Sequence, residues 1–407
     1  MKAPLVAALA AASCAAWADD PNPYYIGATQ TLTHDSNVFR TPNGSSDNYG
    51  STGLVAGFNQ PIGRQQLRAS ATVNNNYYQR ETSLNNVSYA ISAGWDLSTI
   101  ERLSGGVSAS ASRSLASNDF NSTAQPAATR NIITRQQIGA RVGWGGDGPL
   151  GLNAAYSHSN TDYSESPTSE ARGDSASFGA TYRLGPTVRL GLGVSALRNE
   201  APFGIVVSPG VYESNTTNGR SLDFTASWQP GPRTGLNGRL SWTRNSNSRN
   251  AGQDFSGLTG ALGASYEPSA KISLSASLSR DAGTSATLTN QINPSTGLPF
   301  TVSNNNTRTT DSLSLGASYA ATARIGVTAG LLYRSSDVAD QIGLGGAAVN
   351  SDRTDKSYSA SLGANWAIAR NWSLGCNLNH VKREISGSTP IAYSSNVASC
   401  TAQLTLR

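Results

Sequence analysis

Apolar and small polar residues alternate along most of the chain with a period of two. Leu190, Leu192 and Val194 occupy one face while Gly191, Gly193 and Ser195 occupy the other, and Leu274, Ala276 and Leu278 alternate likewise with Ser273, Ser275 and Ser277. Successive side chains of a strand point to opposite faces, so this rhythm predicts strands with one oily side and one small, hydrated side. Such segments fall near 24–33, 50–59, 65–78, 86–97, 102–115, 131–144, 150–159, 174–184, 188–199, 219–229, 234–245, 254–267, 271–282, 308–320, 324–335, 354–367, 371–384 and 392–407. That makes about 18 strands, an even number, as single-chain bacterial barrels have. No helical period and no interdomain linker interrupts them.

The connections alternate between two classes. Short ones, QPIGR (60–64), STIE (98–101), GGDGP (145–149), LGPT (184–187), QPGPR (229–233) and EPSA (267–270), carry the Gly and Pro of tight turns. Long ones, 34–49, 116–130, 200–218, 283–307 and 336–353, are rich in Asn, Ser and Thr. Short turns on one rim and long loops on the other predict an outer-membrane barrel, with the turns periplasmic and the loops extracellular.

Aromatic residues fall in phase with that plan. Phe58, Trp95, Trp144, Tyr182, Trp228, Tyr266, Tyr319 and Trp366 lie on the apolar face, one on every second strand, within about four residues of a short turn. A second set, Tyr77, Tyr89, Tyr156, Phe178, Phe224, Trp242, Tyr333 and Tyr358, lies on the same face nearer the long loops. Amphipathic aromatics gain most at the water interface of a membrane, so the two sets predict girdles bracketing a band of Leu, Val, Ile and Ala. A soluble sandwich gives no reason for this phase. Unpaired strand edges cannot be satisfied in hydrocarbon, so the sheet is expected to close.

The ends and the composition agree. Residues 1–18, with Lys2, an apolar run and small residues around Trp17, read as a secretory signal cleaved after Ala18, leaving 19–407 as one barrel. The apolar run is shorter than the roughly 20 residues a membrane-spanning helix needs. Only 14% of residues are charged, against about 25% in ordinary globular domains, and 41 are glycine.

A barrel of 18 strands has a circumference on the order of 110 Å and a diameter near 35 Å, too wide for Ser, Gly and Thr to fill. By parity Arg68, Arg102, Arg135, Arg141, Arg183, Arg189, Arg239 and Arg334 point into the lumen, while Asp96 and Asp223 are the inward acids along the strands. The bore is therefore expected to be positive toward the short turns and to favour anions, unless the arginines serve mainly to pair with acids such as Asp96. The apolar stretch 201–212, with Phe203, Ile205, Val206 and Val207, is expected to fold inward or pack on the rim.

No enzyme site emerges. His34, His158 and His380 are the only histidines, with no acid or serine at a recognisable spacing. No Cys/His cluster suggests a metal, and no motif suggests a cofactor. A net charge of +5 without a basic tract does not suggest nucleic acid. Cys376 and Cys400 are equidistant from Ser388 in the connection GSTP (387–390), so the last hairpin should set them opposite one another, where a disulfide can form.

The stretch HDSNVFRTPNG (34–44) after the first strand and the ending CTAQLTLR (400–407) resemble the β-barrel porin type 2 family, including the EpsL-like proteins of exopolysaccharide operons. The resemblance implies an outer-membrane barrel that gives a secreted polymer, expected to be anionic, its exit, with lipid around it and periplasmic polysaccharide-export proteins feeding the short-turn rim. A non-conducting surface barrel that binds polysaccharide, or a general small-solute porin, are the alternatives. As residues alone, Asp35 and Asn37 supply the chemistry of a polar turn.

Overall fold

The computed structural model describes residues 23–99, 102–116, 130–145, 148–165, 170–208, 211–248, 254–292, 299–344, 347–386 and 391–406. Residues 1–18, expected as a secretory signal, lie outside them. Eighteen strands run in chain order: β1 (Tyr24–Asp35), β2 (Asp47–Ile62), β3 (Gln65–Tyr78), β4 (Asn86–Ser98), β5 (Leu103–Leu115), β6 (Ile132–Trp144), β7 (Leu150–Tyr163), β8 (Ala171–Leu184) and β9 (Val188–Ser208). They continue as β10 (Val211–Gly231), β11 (Thr234–Asn247), β12 (Phe255–Ser269), β13 (Ile272–Ile292), β14 (Pro299–Ala320), β15 (Ile325–Leu344), β16 (Ala347–Ala369), β17 (Trp372–Ser386) and β18 (Ile391–Leu406). Each pairs antiparallel with the next, and β1 pairs with β18 from Ile26↔Leu406 to Asp35↔Val397. The sheet is a closed barrel, and every wall strand has neighbours on both sides, as hydrocarbon requires of a backbone.

The apolar side of the alternation faces out. Leu54, Leu192, Leu240, Leu262 and Leu362 are all more than half exposed, whereas a soluble fold would bury them. Among the described residues no dry centre collects them, and the exterior is the lipid-contacting surface of an integral outer-membrane protein. Tight turns join the strands at one rim, with Gly63 and Gly185 in the left-handed region at φ 61° and 75°.

Three segments expected as loops are ladders instead. β9 and β10 pair out to Ser208↔Val211, β13 and β14 to Ile292↔Pro299, and β15 and β16 to Leu344↔Ala347. Spanning a bilayer takes about 9–11 residues, yet β14 and β16 have 22 and 23. The extra length is hairpin standing beyond the membrane. There the residues no longer alternate along the sequence, although the pairing continues. The stretch 201–212 belongs to the first of these hairpins; β9 also touches β13 and β14 across the barrel mouth, and the side chains of Phe203, Ile205, Val206 and Val207 lie outside the described residues.

Closure has its own device. Residues 36–46, following β1, tie the last strand to the third. Asp35 accepts hydrogen bonds from the Asn37 amide (2.9 Å) and Ser395 Oγ (2.8 Å) and pairs with Arg40 at 2.8 Å. Asn37 Nδ2 donates to the carbonyls of Thr41 (2.7 Å) and Ser394 (3.1 Å), and the Ser36 amide donates to Asn396 O at 3.0 Å. On the other side Asp47 accepts the amides of Asn48 (2.7 Å), Arg80 (3.0 Å) and Glu81 (2.9 Å). Asp35, Asn37 and Asp47 are buried inside the wall. The stretch that reads as a polar turn is thus a clasp across the seam where the chain's first and last strands meet.

Cys376 and Cys400 are register partners on β17 and β18, on the lipid side, and form a disulfide with Cα atoms 4.1 Å apart. It fixes the register of the closing hairpin beside that seam.

Replacing Asp47 by Ala leaves three amides without their acceptor, at about 1–3 kcal/mol for a buried unmade bond. Asp47→Ala is expected to lower barrel stability by roughly 2–4 kcal/mol, seen as a lower temperature for the heat-induced gel shift of the folded band. An unchanged transition would show that Asp47 does not hold the start of β2 to the chain leaving β3.

Candidate functional site

The wall's inner face and its two rims carry the charge. Register places Arg68, Arg135, Arg141, Arg183, Arg189, Arg239 and Arg334 opposite the outward positions of their strands, toward the lumen. Arg102 differs. It precedes β5 with φ 99° and its guanidinium lies over Gly148, so it belongs to the short-turn rim. A left-handed residue at the strand entrance breaks the alternation, and parity does not carry through it.

Three of the inward arginines meet acids. Arg68 on β3 pairs with Asp96 on β4, and Arg141 on β6 reaches the same carboxylate at 2.6 Å. Arg141 does so across an entire strand, because Gly106 of β5 lies between them in register. A Cβ at Gly106 would come within 2.9 Å of Asp96 Oδ1 and 3.1 Å of the Trp95 carbonyl. Arg239 uses the same device, spanning Ala261 of β12 to meet Asp281 of β13 at 3.2 Å. Asp281 was not among the expected inward acids; it is mid-strand because β13 runs on to Ile292. Asp223 is inward too, but Ser221 (3.0 Å) and Ser241 (2.5 Å) hold it rather than an arginine.

Deeper toward the long hairpins the lumen wall between β16 and β3 carries further polar groups. Arg383 binds Asp355 through Nε at 2.8 Å, and both are buried. Tyr49 stacks on Tyr78 with ring centroids 4.6 Å apart. With the clasp, these fill the outer half of the bore along one side. The period of two does not signal these pairs, since it assigns a face to each residue and not a partner.

Arg183 and Arg189 face one another directly across β8 and β9 near the short turns. Below them, most short turns carry one basic side chain: Arg64, Arg102, Arg233, Lys271, Arg324 and Arg370. All six are exposed, and among the described residues none has a carboxylate within ion-pair distance. Arg64 instead donates to the Thr99 carbonyl (3.4 Å) and Arg233 to the Pro268 carbonyl (3.2 Å), each in the next turn along. The rim is a ring of exposed cations, two of them held to backbone carbonyls, a feature that tracing strand faces passes over because it sits between strands.

The eight girdle aromatics lie on the even-numbered strands as they enter the short turns. Trp95, Trp144, Tyr182, Trp228, Tyr266, Tyr319 and Trp366 are 43–52% exposed on the outer surface, and Trp95 Nε1 donates to Gln65 at 3.0 Å. Phe58 meets Tyr24 with centroids 5.2 Å apart. Tyr24 and Trp372 extend the ring onto odd strands beside the seam. The histidines all face outward near the long hairpins: His34 bonds Asn48 (2.8 Å), His380 bonds Asn396 (2.7 Å), and His158 bonds Asp174 (2.9 Å). Among the described residues no group of three or more His, Cys, Asp or Glu could hold a metal ion.

No protein-family model matches the chain, and no curated protein matches it. Solved structures do match in shape. They include the ferric enterobactin receptor of Pseudomonas aeruginosa at 9% identity, covering 94% of this chain and 81% of that one with a TM-score of 0.48. The siderophore receptor PirA of Acinetobacter baumannii matches at 8% identity, 96% and 81% coverage and a TM-score of 0.45. The alcaligin outer-membrane receptor FauA of Bordetella pertussis matches at 14% identity, 94% and 76% coverage and 0.42.

Asp96 is the acid that Arg68 and Arg141 share, so Asp96→Asn removes it and leaves both cations in the field of the bore. In planar bilayers with a salt gradient, the reversal potential of Asp96→Asn should move toward the chloride potential. A potential equal to the wild type's would take Asp96 out of the charge that ions sense.

Proposed function

We propose that this outer-membrane barrel is the exit conduit for a secreted anionic exopolysaccharide, loaded from the periplasm at the short-turn rim. The observation that carries the reading is the ring of cations there, Arg64, Arg102, Arg233, Lys271, Arg324 and Arg370, none with a carboxylate within ion-pair distance among the described residues, standing below the facing pair Arg183 and Arg189. A charged ring at a pore mouth concentrates ions of the opposite sign and repels its own. An arriving polyanion thus meets cations that the described acids do not already hold.

The rest of the wall suits such a cargo. The short-turn half of the bore is lined with Ser, Gly, Thr and Asn, and ladders of hydroxyls such as Ser70–Ser92 and Thr31–Thr401, each at 2.8 Å, run between strands. Hydroxyls offer hydrogen bonds to sugars without a fixed charge that would hold a polymer in place. The resemblance of HDSNVFRTPNG and CTAQLTLR to the porin type 2 and EpsL-like barrels supports the same reading and supplies the polymer class. Periplasmic polysaccharide-export proteins are the partners expected at that rim. The non-conducting polysaccharide binder is the second reading, favoured by the clasp and the Arg383–Asp355 pair that occupy part of the outer bore.

Planar bilayers separate the two. The conduit gives discrete open states with a reversal potential on the chloride side, and Arg183→Gln with Arg189→Gln moves it toward zero. Alginate added on the short-turn side should block current at concentrations about tenfold lower than a neutral dextran of equal length, given the charge steering of polyanions. Silence in the bilayer would favour the binder; equal block by both polymers would remove the anionic cargo.

A further inference from the structure

Above the upper girdle the strands leave the oily band, and their outward faces carry charge. Four basic residues there look across at an acid: Arg172 faces Glu200, Arg198 faces Asp174, Arg280 faces Asp311 and Lys356 faces Glu384. Arg113 and Lys382 face uncharged residues, and Arg220 of β10 lies directly opposite Arg244 of β11, a second cation. Like charges facing each other across two strands destabilise a sheet.

No acid lies directly opposite either of them; Asp254, just before β12, accepts the Asn247 amide at 2.8 Å and forms no ion pair with Arg244. The outer neighbours in register are Ala196 and Ser256. Both arginines are exposed, and among the described residues neither has a carboxylate within ion-pair distance. Asp223, three residues from Arg220, points the other way, into the lumen, where Ser241 holds it. Below the pair on the same face lie Leu222 opposite Trp242, then Phe224 opposite Leu240, all exposed. Phe224 and Trp242 belong to the aromatic level that marks the interface, so the two guanidinium groups stand at headgroup height with an apolar track directly beneath.

We propose that Arg220 and Arg244 bind the phosphate of an anionic lipid headgroup in the outer leaflet, with its acyl chains lying along Leu222, Trp242, Phe224 and Leu240. A guanidinium matches phosphate with two parallel hydrogen bonds, and two of them on facing strands can clamp one phosphate from both sides. The bound anion removes the repulsion that the empty pair suffers. The apolar track selects a lipid over a free anion, which gains nothing from it. The inference is independent of whether the bore conducts.

The test uses the folded full-length barrel in phosphatidylcholine nanodiscs doped with diphosphoryl lipid A, with retained lipid counted by native mass spectrometry. R220Q/R244Q should retain about tenfold less than the wild type, since each surface cation adds substantially to attraction for an anionic lipid. R280Q/K382Q removes two charges from the same face at positions that already have acids, and should retain as much as the wild type. R220Q/R244Q should also fold at least as well as the wild type in phosphatidylcholine alone, because it relieves the repulsion. Equal retention by the wild type and R220Q/R244Q overturns the proposal, as does an equal loss in R280Q/K382Q. Displacement of the lipid by millimolar inorganic phosphate would mark a free-anion site and overturn the lipid assignment.

Discussion

Hydrocarbon offers no hydrogen bonds, and the rest of this structure follows from that. Every strand in the membrane must find both neighbours, so the sheet has no admissible edge and β1 must meet β18. Closing a sheet of 18 strands joins parts of the chain some 370 residues apart, as in the hydrogen bond between Thr31 and Thr401. That contact is the most costly in chain entropy and gains nothing from local propensity. It is also where the extra bonding is concentrated: the clasp of Asp35, Asn37 and Asp47 on one side and the Cys376–Cys400 disulfide on the other.

Alternation is legible in sequence wherever the two faces of a strand meet different media. From Leu190 to Val194 one face meets lipid and the other water, and the period of two follows directly. The aromatic phase is legible for the same reason, since a girdle is a depth and depth recurs once per strand. Legibility stops where the media become the same. Past about residue 200 on β9, 282 on β13 and 335 on β15 the sequence loses its period of two although the ladders continue. The clasp is hidden differently. Asp35 and Asn37 are ordinary turn residues locally, and what makes them a seam is Ser394, Ser395 and Asn396, some 360 residues away.

Charge inside the bore is also less than a count of arginines suggests. In a wall with small inward side chains, a long cation can reach over a neighbour to an acid two strands away. Gly106 permits this for Arg141 and Asp96, and Ala261 for Arg239 and Asp281. Parity assigns a face but not a partner, because the partner depends on the size of the residue lying between. Charge along the lumen therefore depends on which inward arginines reach an acid across a small neighbour, not on their number.

Faces and charges together also defend the register. A slip of one residue exchanges the two sides of a strand. On β11 Arg239 faces water and Leu240 and Trp242 face lipid. A slip would drive Arg239 into the oily band, at about 2–4 kcal/mol for a cation near the bilayer centre, and would draw Leu240 and Trp242 from lipid into the lumen. A penalty of the same sign, smaller toward the interfaces, recurs at the other inward arginines, so misregister becomes more costly with each strand that slips. Arg220 and Arg244 escape it only because they lie beyond the oily band, where lipid chains give way to headgroups. The inward arginines thus have two effects from one position: they set the charge of the bore, and they make every wrong pairing of a repetitive, serine-rich wall expensive.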